Sequence, residues 1–248
     1  MSLFSVEERD RVNEYVLELA AADDRVVAGA VVGSLAHRGD RWSDLDLTFG
    51  VRDGVPLADV LDDWTGKLAR ELGSVRLFDL RSGAAIYRVF LLPGCLQVDL
   101  SVAPTSAFGA RASTFRLLFG AAVEQAHVEP PDPRELFGYA VHHALRARFC
   151  IERGRSWQAE YWISSVRDFA LSLACRNWDL PAHQARGFDD LPADVRDGFA
   201  PAIVRSLEPH ELFRALGDAI DGLLREAADL PDDLVEKVEP ELRTLSRR

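Results

Sequence analysis

Apolar positions along the chain recur now with a period near 3.6, now with a period of 2, and each change of period marks a change of element. Val12, Val16, Leu19 and Ala20 fall at helical spacing behind Ser5-Val6-Glu7-Glu8. That opening is a capping box, with Ser5 at the N-cap and Glu8 at N3, so a helix runs to about Ala22 and ends at Asp23-Asp24. An apolar run, Val26 to Val32, predicts the first strand. Gly33-Ser34 then opens a short turn or helix ending near Arg38-Gly39-Asp40, and a second strand spans Asp44–Gly50. Pro56-Leu57 starts a helix that reaches Leu72 and stops at Gly73. Three β-rich runs follow, Val75–Leu80, Ala85–Leu92 and Leu96–Val102, separated by turns at Ser82-Gly83 and Pro93-Gly94. The last two read as a hairpin.

Beyond Pro130-Pro131-Asp132-Pro133 the β signal vanishes. Helices are predicted over 134–153, Trp157–Asn177, Ala193–Arg205, Pro209–Ala228 and Asp232–Leu245, with a loop at Pro181–Pro192. The fold class is therefore α+β, a mixed-sheet unit over residues 1–128 followed by a helical bundle over 129–248. In the first of these helices Arg148 and Glu152 lie among Val141, Ala144 and Leu145, which predicts an inward-facing charge pair in a cleft. Trp157, Trp162 and Trp178 are expected in the core. His142 and His143, adjacent on a helix, diverge by about 100° and cannot hold one ion together.

The strand pattern places acids together. Asp44 and Asp46 are two apart, so on a strand they share a face while Leu45, Leu47 and Phe49 take the other. Leu96, Val98, Leu100 and Val102 alternate with Gln97, Asp99 and Ser101, which adds a third acid on a polar face. Two carboxylates about 4 Å apart repel by roughly 4 kcal/mol at an effective dielectric near 20, and a hard divalent cation is the simplest compensation. The bland reading is a turn with solvated charges. Gly33-Ser34 likewise admits two readings, a tight turn or a phosphate cradle in which glycine removes a Cβ while N–H groups and the Ser34 hydroxyl face oxygens.

Charge and composition narrow the partners. A net charge of -11 over 248 residues, with no basic stripe, argues against a grip on long nucleic acid. No apolar run approaches the ~20 residues of a membrane span, and the acidic start lacks the form of a signal peptide, so a cytoplasmic location is expected with no membrane partner. Cys95, Cys150 and Cys175 form no CxxC pair and are expected to be reduced, mostly buried thiols. Lys67 and Lys237 are the only lysines, which leaves arginine, backbone N–H or metal to handle any phosphate.

Gly33-Ser34, nine intervening residues, Asp44-Leu45-Asp46 and the later Asp99 together resemble the nucleotidyltransferase superfamily, the polymerase-β-like fold, over about residues 26–103. More weakly, Phe115–Gly120, Ala159-Glu160-Tyr161-Trp162 and Arg186–Pro192 make the helical half similar to small antibiotic nucleotidyltransferases acting on aminoglycosides or lincosamides. The resemblance implies that Asp44, Asp46 and Asp99 hold Mg²⁺ and that Gly33, Ser34 and Ser43 bind a nucleoside triphosphate such as ATP. Arg186 is a further candidate for triphosphate contact. Asp99 or Glu160 would serve as base, Glu160 against a structural reading as a helix-start acid. An NMP, AMP from ATP, would pass to a small hydroxylated acceptor, expected in a cleft that also draws on Arg148, Glu160 and Arg186 of a monomer or homodimer. Two alternatives stay open: nucleotidylation of a protein hydroxyl, as in toxin–antitoxin systems, and a non-catalytic nucleotide-binding scaffold.

Overall fold

A computed structural model describes residues 3–36, 39–110, 114–126, 129–230 and 233–247. Arg38 and Asp232, which bound two of the expected elements, lie outside them. The chain divides into two compact units, Met1–Val128 and Glu129–Arg248.

The first unit is built on a six-stranded mixed sheet. Its strands are β1 Val26–Val32, β2 Leu45–Val51, β3 Val75–Ser82, β4 Ala85–Leu92, β5 Leu96–Pro104 and β6 Phe115–Phe119, in the order β3-β4-β5-β2-β1-β6. β2 and β5 run parallel and the other neighbours antiparallel. Two helices, α1 Val6–Ala21 and α2 Leu57–Leu72, contribute to the core of this unit. The capping box of α1 is formed: the Glu8 N–H donates to Ser5 Oγ at 3.2 Å and the Ser5 N–H to the Glu8 carboxylate at 2.7 Å. α2 ends because Gly73 turns left-handed, φ 64°.

Strand alternation fills one face of this sheet. Leu45, Leu47, Phe49 and Val51 of β2 and Leu96, Val98, Leu100 and Val102 of β5 are buried with Val12, Val16 and Leu19 of α1 and Val60, Leu61, Trp64 and Leu68 of α2. The opposite face of the same strands is left to Asp46, Thr48, Asp99 and Ser101. Phe115–Phe119, for which the sequence pattern predicted no strand, forms β6 of this unit, an edge strand paired with β1 from Val32↔Phe115 to Gly29↔Phe119. Its Phe-Arg-Leu-Leu-Phe run lacks strict alternation, and its pairing partner is distant in sequence, so periodicity could not assign it.

The second unit packs α3 Pro133–Glu152, α4 Ser156–Asn177, α5 Ala193–Asp197, α6 Pro209–Glu226 and α7 Leu234–Leu245. Small residues set the approach of its helices: Ala140, Ala144 and Ala147 of α3 share a core with Ala170 and Ala174 of α4 and Ala215 and Ala219 of α6. Three expectations are corrected here. The helix expected over Ala193–Arg205 stops at Asp197 and resumes only as a 3-10 turn, Ala200–Ala202, because Gly198 and Pro201 fall within one turn of each other. Arg148 opens no cleft. Its Nε donates to Glu152 at 2.8 Å, and its Nη1 donates to the carbonyl of Leu245 at 2.9 Å and to that of Arg247, so the side chain clamps α3 to the end of α7. Trp157 and Trp178 are exposed rather than core, since each sits at a helix boundary where the apolar face has ended.

A half-buried acid ties the segment before β1 to α2. Arg25 donates to both Asp23 carboxylate oxygens, at 2.8 and 2.7 Å, and the Trp64 indole adds a third bond at 2.9 Å. The Arg25 bonds, opposed by burial and helped by Trp64, hold the carboxyl down at about 2. A depressed folded pKa stabilises above the ordinary carboxylate pKa and is lost as pH falls through the folded value. The wild type should therefore lose about 2 kcal/mol between pH 5 and pH 2 that Asp23→Asn does not lose. Urea midpoints at the two pH values check this, and parallel losses in both proteins would remove Asp23 from the account.

Candidate metal and nucleotide site

The parallel pairing of β2 with β5 sets Asp46 directly opposite Asp99, with Leu45↔Val98 and Leu47↔Leu100 on either side. Both acids leave the sheet on the face that the core does not use. Asp44 sits one residue before β2, and one carboxylate oxygen from each of Asp44, Asp46 and Asp99 lies within 4.8 Å of the other two. Burial pushes the Asp99 carboxyl upward; a hydrogen bond from Gln97 Nε2 at 3.0 Å opposes this, and the Asp44 charge adds to the rise. The donor set is all oxygen, anionic and half-buried, which suits a hard divalent cation such as Mg²⁺ and no soft metal.

Gly33 follows β1 with φ +68°. A Cβ there would fall 2.1 Å from Asp46 Oδ2, so the missing side chain is required by the acid and not only by the turn. Ser34 comes next, exposed at the start of the 3-10 turn Ser34–Ala36.

The loop that delivers Asp44 is fastened from behind. Arg9 of α1 is only 6% exposed, and its Nη1 donates to the carbonyls of Asp40 at 2.6 Å and Ser43 at 3.2 Å. Within the loop the Asp40 N–H donates to Ser43 Oγ at 2.9 Å, the Ser43 hydroxyl donates to Asp40 Oδ1 at 3.2 Å, and the Trp42 N–H donates to the same oxygen at 2.8 Å. Four residues are thus locked into one turn immediately ahead of the first acid.

The structure brings Gly33, Ser34, Asp44, Asp46 and Asp99 to one end of the sheet. Ser43 is beside them in sequence, but it is buried and its hydroxyl is engaged with Asp40, which makes it a loop former. Glu160 and Arg186 belong to the second unit, where Glu160 Oε1 accepts from Ser164 Oγ at 2.8 Å and Arg186 is exposed beyond the turn His183–Ala185. Sequence reasoning passed over Arg9. Its signal was a charge three residues before Val12 and seven before Val16, on the stripe that α1 buries.

No family model matches the chain, and no curated protein matches it. Among solved structures it is similar to an aminoglycoside 6-adenyltransferase from Bacillus subtilis, at 13% identity over 99% of this chain and 100% of that one, with a TM-score of 0.37. It is also similar to JHP933 from Helicobacter pylori, again at 13% identity with 99% and 100% covered, and a TM-score of 0.27. Scores of that size carry no functional argument, which rests on the side chains themselves.

Gly33→Ala should cost the fold about 1–3 kcal/mol through the left-handed backbone, yet weaken Mn²⁺ binding about tenfold or more by displacing the Asp46 oxygen. Mn²⁺ titration followed by electron paramagnetic resonance, beside a thermal melt, separates the two effects. Undiminished Mn²⁺ affinity would return Gly33 to a simple turn.

Proposed function

We propose that this chain is a Mg²⁺-dependent nucleotidyltransferase that moves AMP from ATP to a hydroxyl of a small molecule. The observation that carries the reading is the convergence of Asp44, Asp46 and Asp99 within 4.8 Å beside a glycine whose Cβ would strike one of them. Mutual repulsion in such a cluster favours a bound cation. The three aspartates would hold the ion; bound, it supplies charge neutralisation at triphosphate oxygens and acidifies an acceptor hydroxyl.

The remaining work falls to the chain's own groups. The exposed Ser34 turn offers its hydroxyl and backbone N–H groups to the β- and γ-phosphates. Asp99, raised by burial, accepts the proton of the acceptor hydroxyl on a carboxylate oxygen. The acceptor oxygen bonds to the α-phosphorus as the α–β bridging P–O bond breaks, and pyrophosphate leaves with the electron pair. The clamp of Arg9 on the 40–43 loop keeps Asp44 in place through this change of charge.

The acceptor we propose is a hydroxylated antibiotic, and aminoglycoside- and lincosamide-like compounds head the panel because the sequence resembles transferases acting on them. Protein, Mg²⁺ and each NTP are incubated with that panel, and acceptor masses are read. An AMP-sized increment on one compound supports the proposal. An increment on protein alone moves the acceptor to a protein hydroxyl, and no increment with any NTP leaves the scaffold reading.

Asp44→Asn and Asp46→Asn should abolish transfer while leaving the metal-free fold as stable as the wild type or slightly more so. Each removes one of the repelling charges, whereas losing a metal ligand costs several kcal/mol of transition-state stabilisation. Thermal melts in EDTA and in Mg²⁺-ATP test the pair. Variants that melt clearly lower in EDTA, with a wild type that gains nothing from Mg²⁺-ATP, would make these aspartates structural.

A further inference from the structure

The second unit holds a cavity of about 390 Å³ between α3, α4 and the segment 182–188. On α4 its wall is Tyr161, Ser165, Asp168, Phe169 and Ser172, a stripe at helical spacing of which Phe169 alone also packs against the apolar core. His143 of α3 closes one side and Gln184, Ala185 and Phe188 the other.

The segment over the cavity is held against its own preference. Gln184 and Ala185 both sit in the left-handed region, φ 55° and 60°, where a side chain with a Cβ is strained. Pins on either side keep it there: Ser172 Oγ donates to the Ala182 carbonyl at 3.2 Å, the Gly187 N–H to Pro181 at 2.9 Å and the Phe188 N–H to Ala185 at 3.1 Å. Backbone strain retained at the rim of a cavity is a mark of ligand-holding segments.

Hydrogen-bond accounting gives the cavity its polarity. The Ser165 proton is committed to the Tyr161 carbonyl at 2.8 Å and the Ser172 proton to Ala182, so both hydroxyls offer only lone pairs. Arg167 reaches Asp168 through Oδ1 alone, at 2.9 and 2.7 Å, and Oδ2 keeps its capacity to accept. Phe169 and Tyr161 add aromatic rings to the wall, and an aromatic wall favours a cation with an apolar body. Burial holds the His143 imidazole below its usual range, so at neutral pH it adds no repelling charge.

We propose that this cavity is a binding site for a small organic monocation, a single protonated amine on an apolar body. The Asp168 Oδ2 left over from the Arg167 pair and two lone-pair hydroxyls give three acceptors, which match the three donors of one ammonium, and the aromatic wall matches the body. The site is read from the second unit alone and stands whether or not the sheet transfers a nucleotide.

Phenethylamine is the probe, with 2-phenylethanol as its uncharged counterpart and spermidine as a polycation. Binding to the full chain is followed by the His143 imidazole resonances and by Trp162 fluorescence, since the His143 and Trp162 rings lie 4.6 Å apart. Phenethylamine should bind at least tenfold tighter than 2-phenylethanol or spermidine, and Asp168→Asn should remove about tenfold of that affinity. Asp168 is exposed, so the variant should melt with the wild type, and Asp218→Asn serves as a control remote in sequence with an unchanged affinity. Equal binding of amine and alcohol, tighter binding of spermidine, or an undiminished Asp168→Asn affinity would each overturn the proposal. So would the absence of phenethylamine binding at millimolar concentration.

Discussion

Repulsion among three carboxylates is the constraint around which the first unit is arranged. Oxygens of Asp44, Asp46 and Asp99 gathered within 4.8 Å oppose one another, with roughly 4 kcal/mol for a pair at 4 Å and an effective dielectric near 20. Against a total stability of about 5–15 kcal/mol that is a large share, and the sheet does not yield to it. Two of the acids cannot separate because they are register partners in a parallel ladder whose other face is fully buried. The third cannot swing away because its loop is held by Arg9. The arrangement resists relaxation at each acid and suits added positive charge.

Arginine does the holding throughout. Arg9 reaches two backbone carbonyls, Arg148 reaches two more at the end of α7, and Arg214 grips the carbonyls of Pro201 and Ile203 while pairing with Glu211. Arg88, 2% exposed, forks onto Asp79 and uses its remaining nitrogen on Asp62 and Thr65, joining β3, β4 and α2. A planar guanidinium can serve several acceptors at fixed angles, whereas an ammonium is a point charge on a flexible stem. The scarcity of lysine, which in the sequence suggested arginines kept for phosphate, is explained at these positions by fastening of loops and helix ends.

How far the sequence could be read followed from how local each signal was. The capping box at Ser5, the stop at Gly73 and the alternation about Asp99 are complete within a few residues, and β1 spans Val26–Val32 as expected. The Gly33-Ser34 to Asp44 spacing was likewise legible, although why Gly33 must be glycine was not, since that depends on the position of an Asp46 oxygen across the sheet. Non-local facts stayed hidden: β6 needs β1 beside it, and Arg148 finds its partners at the far end of the chain. Ser43 illustrates a different limit. Its neighbourhood suggested a nucleotide contact, and only coordinates could show its hydroxyl engaged with Asp40.

The two faces of the central strands explain how chemistry and stability coexist in so short a stretch. From Leu45 to Val51 on β2 and from Leu96 to Val102 on β5 every second residue is an apolar side chain at most 1% exposed, and Asp46, Thr48, Asp99 and Ser101 lie between them. A slip of one residue would bury Asp46 and Asp99 and expose Leu45, Leu47, Leu100 and Val102. Burying either carboxylate without a partner would cost far more than any single apolar contact returns. The apolar face therefore fixes register, and register in turn fixes which carboxylates meet. The acids inherit their geometry from leucines and valines that no substrate touches, so shape-changing substitutions at Leu47 or Leu100 should disturb the acidic cluster as directly as changes to its own loop.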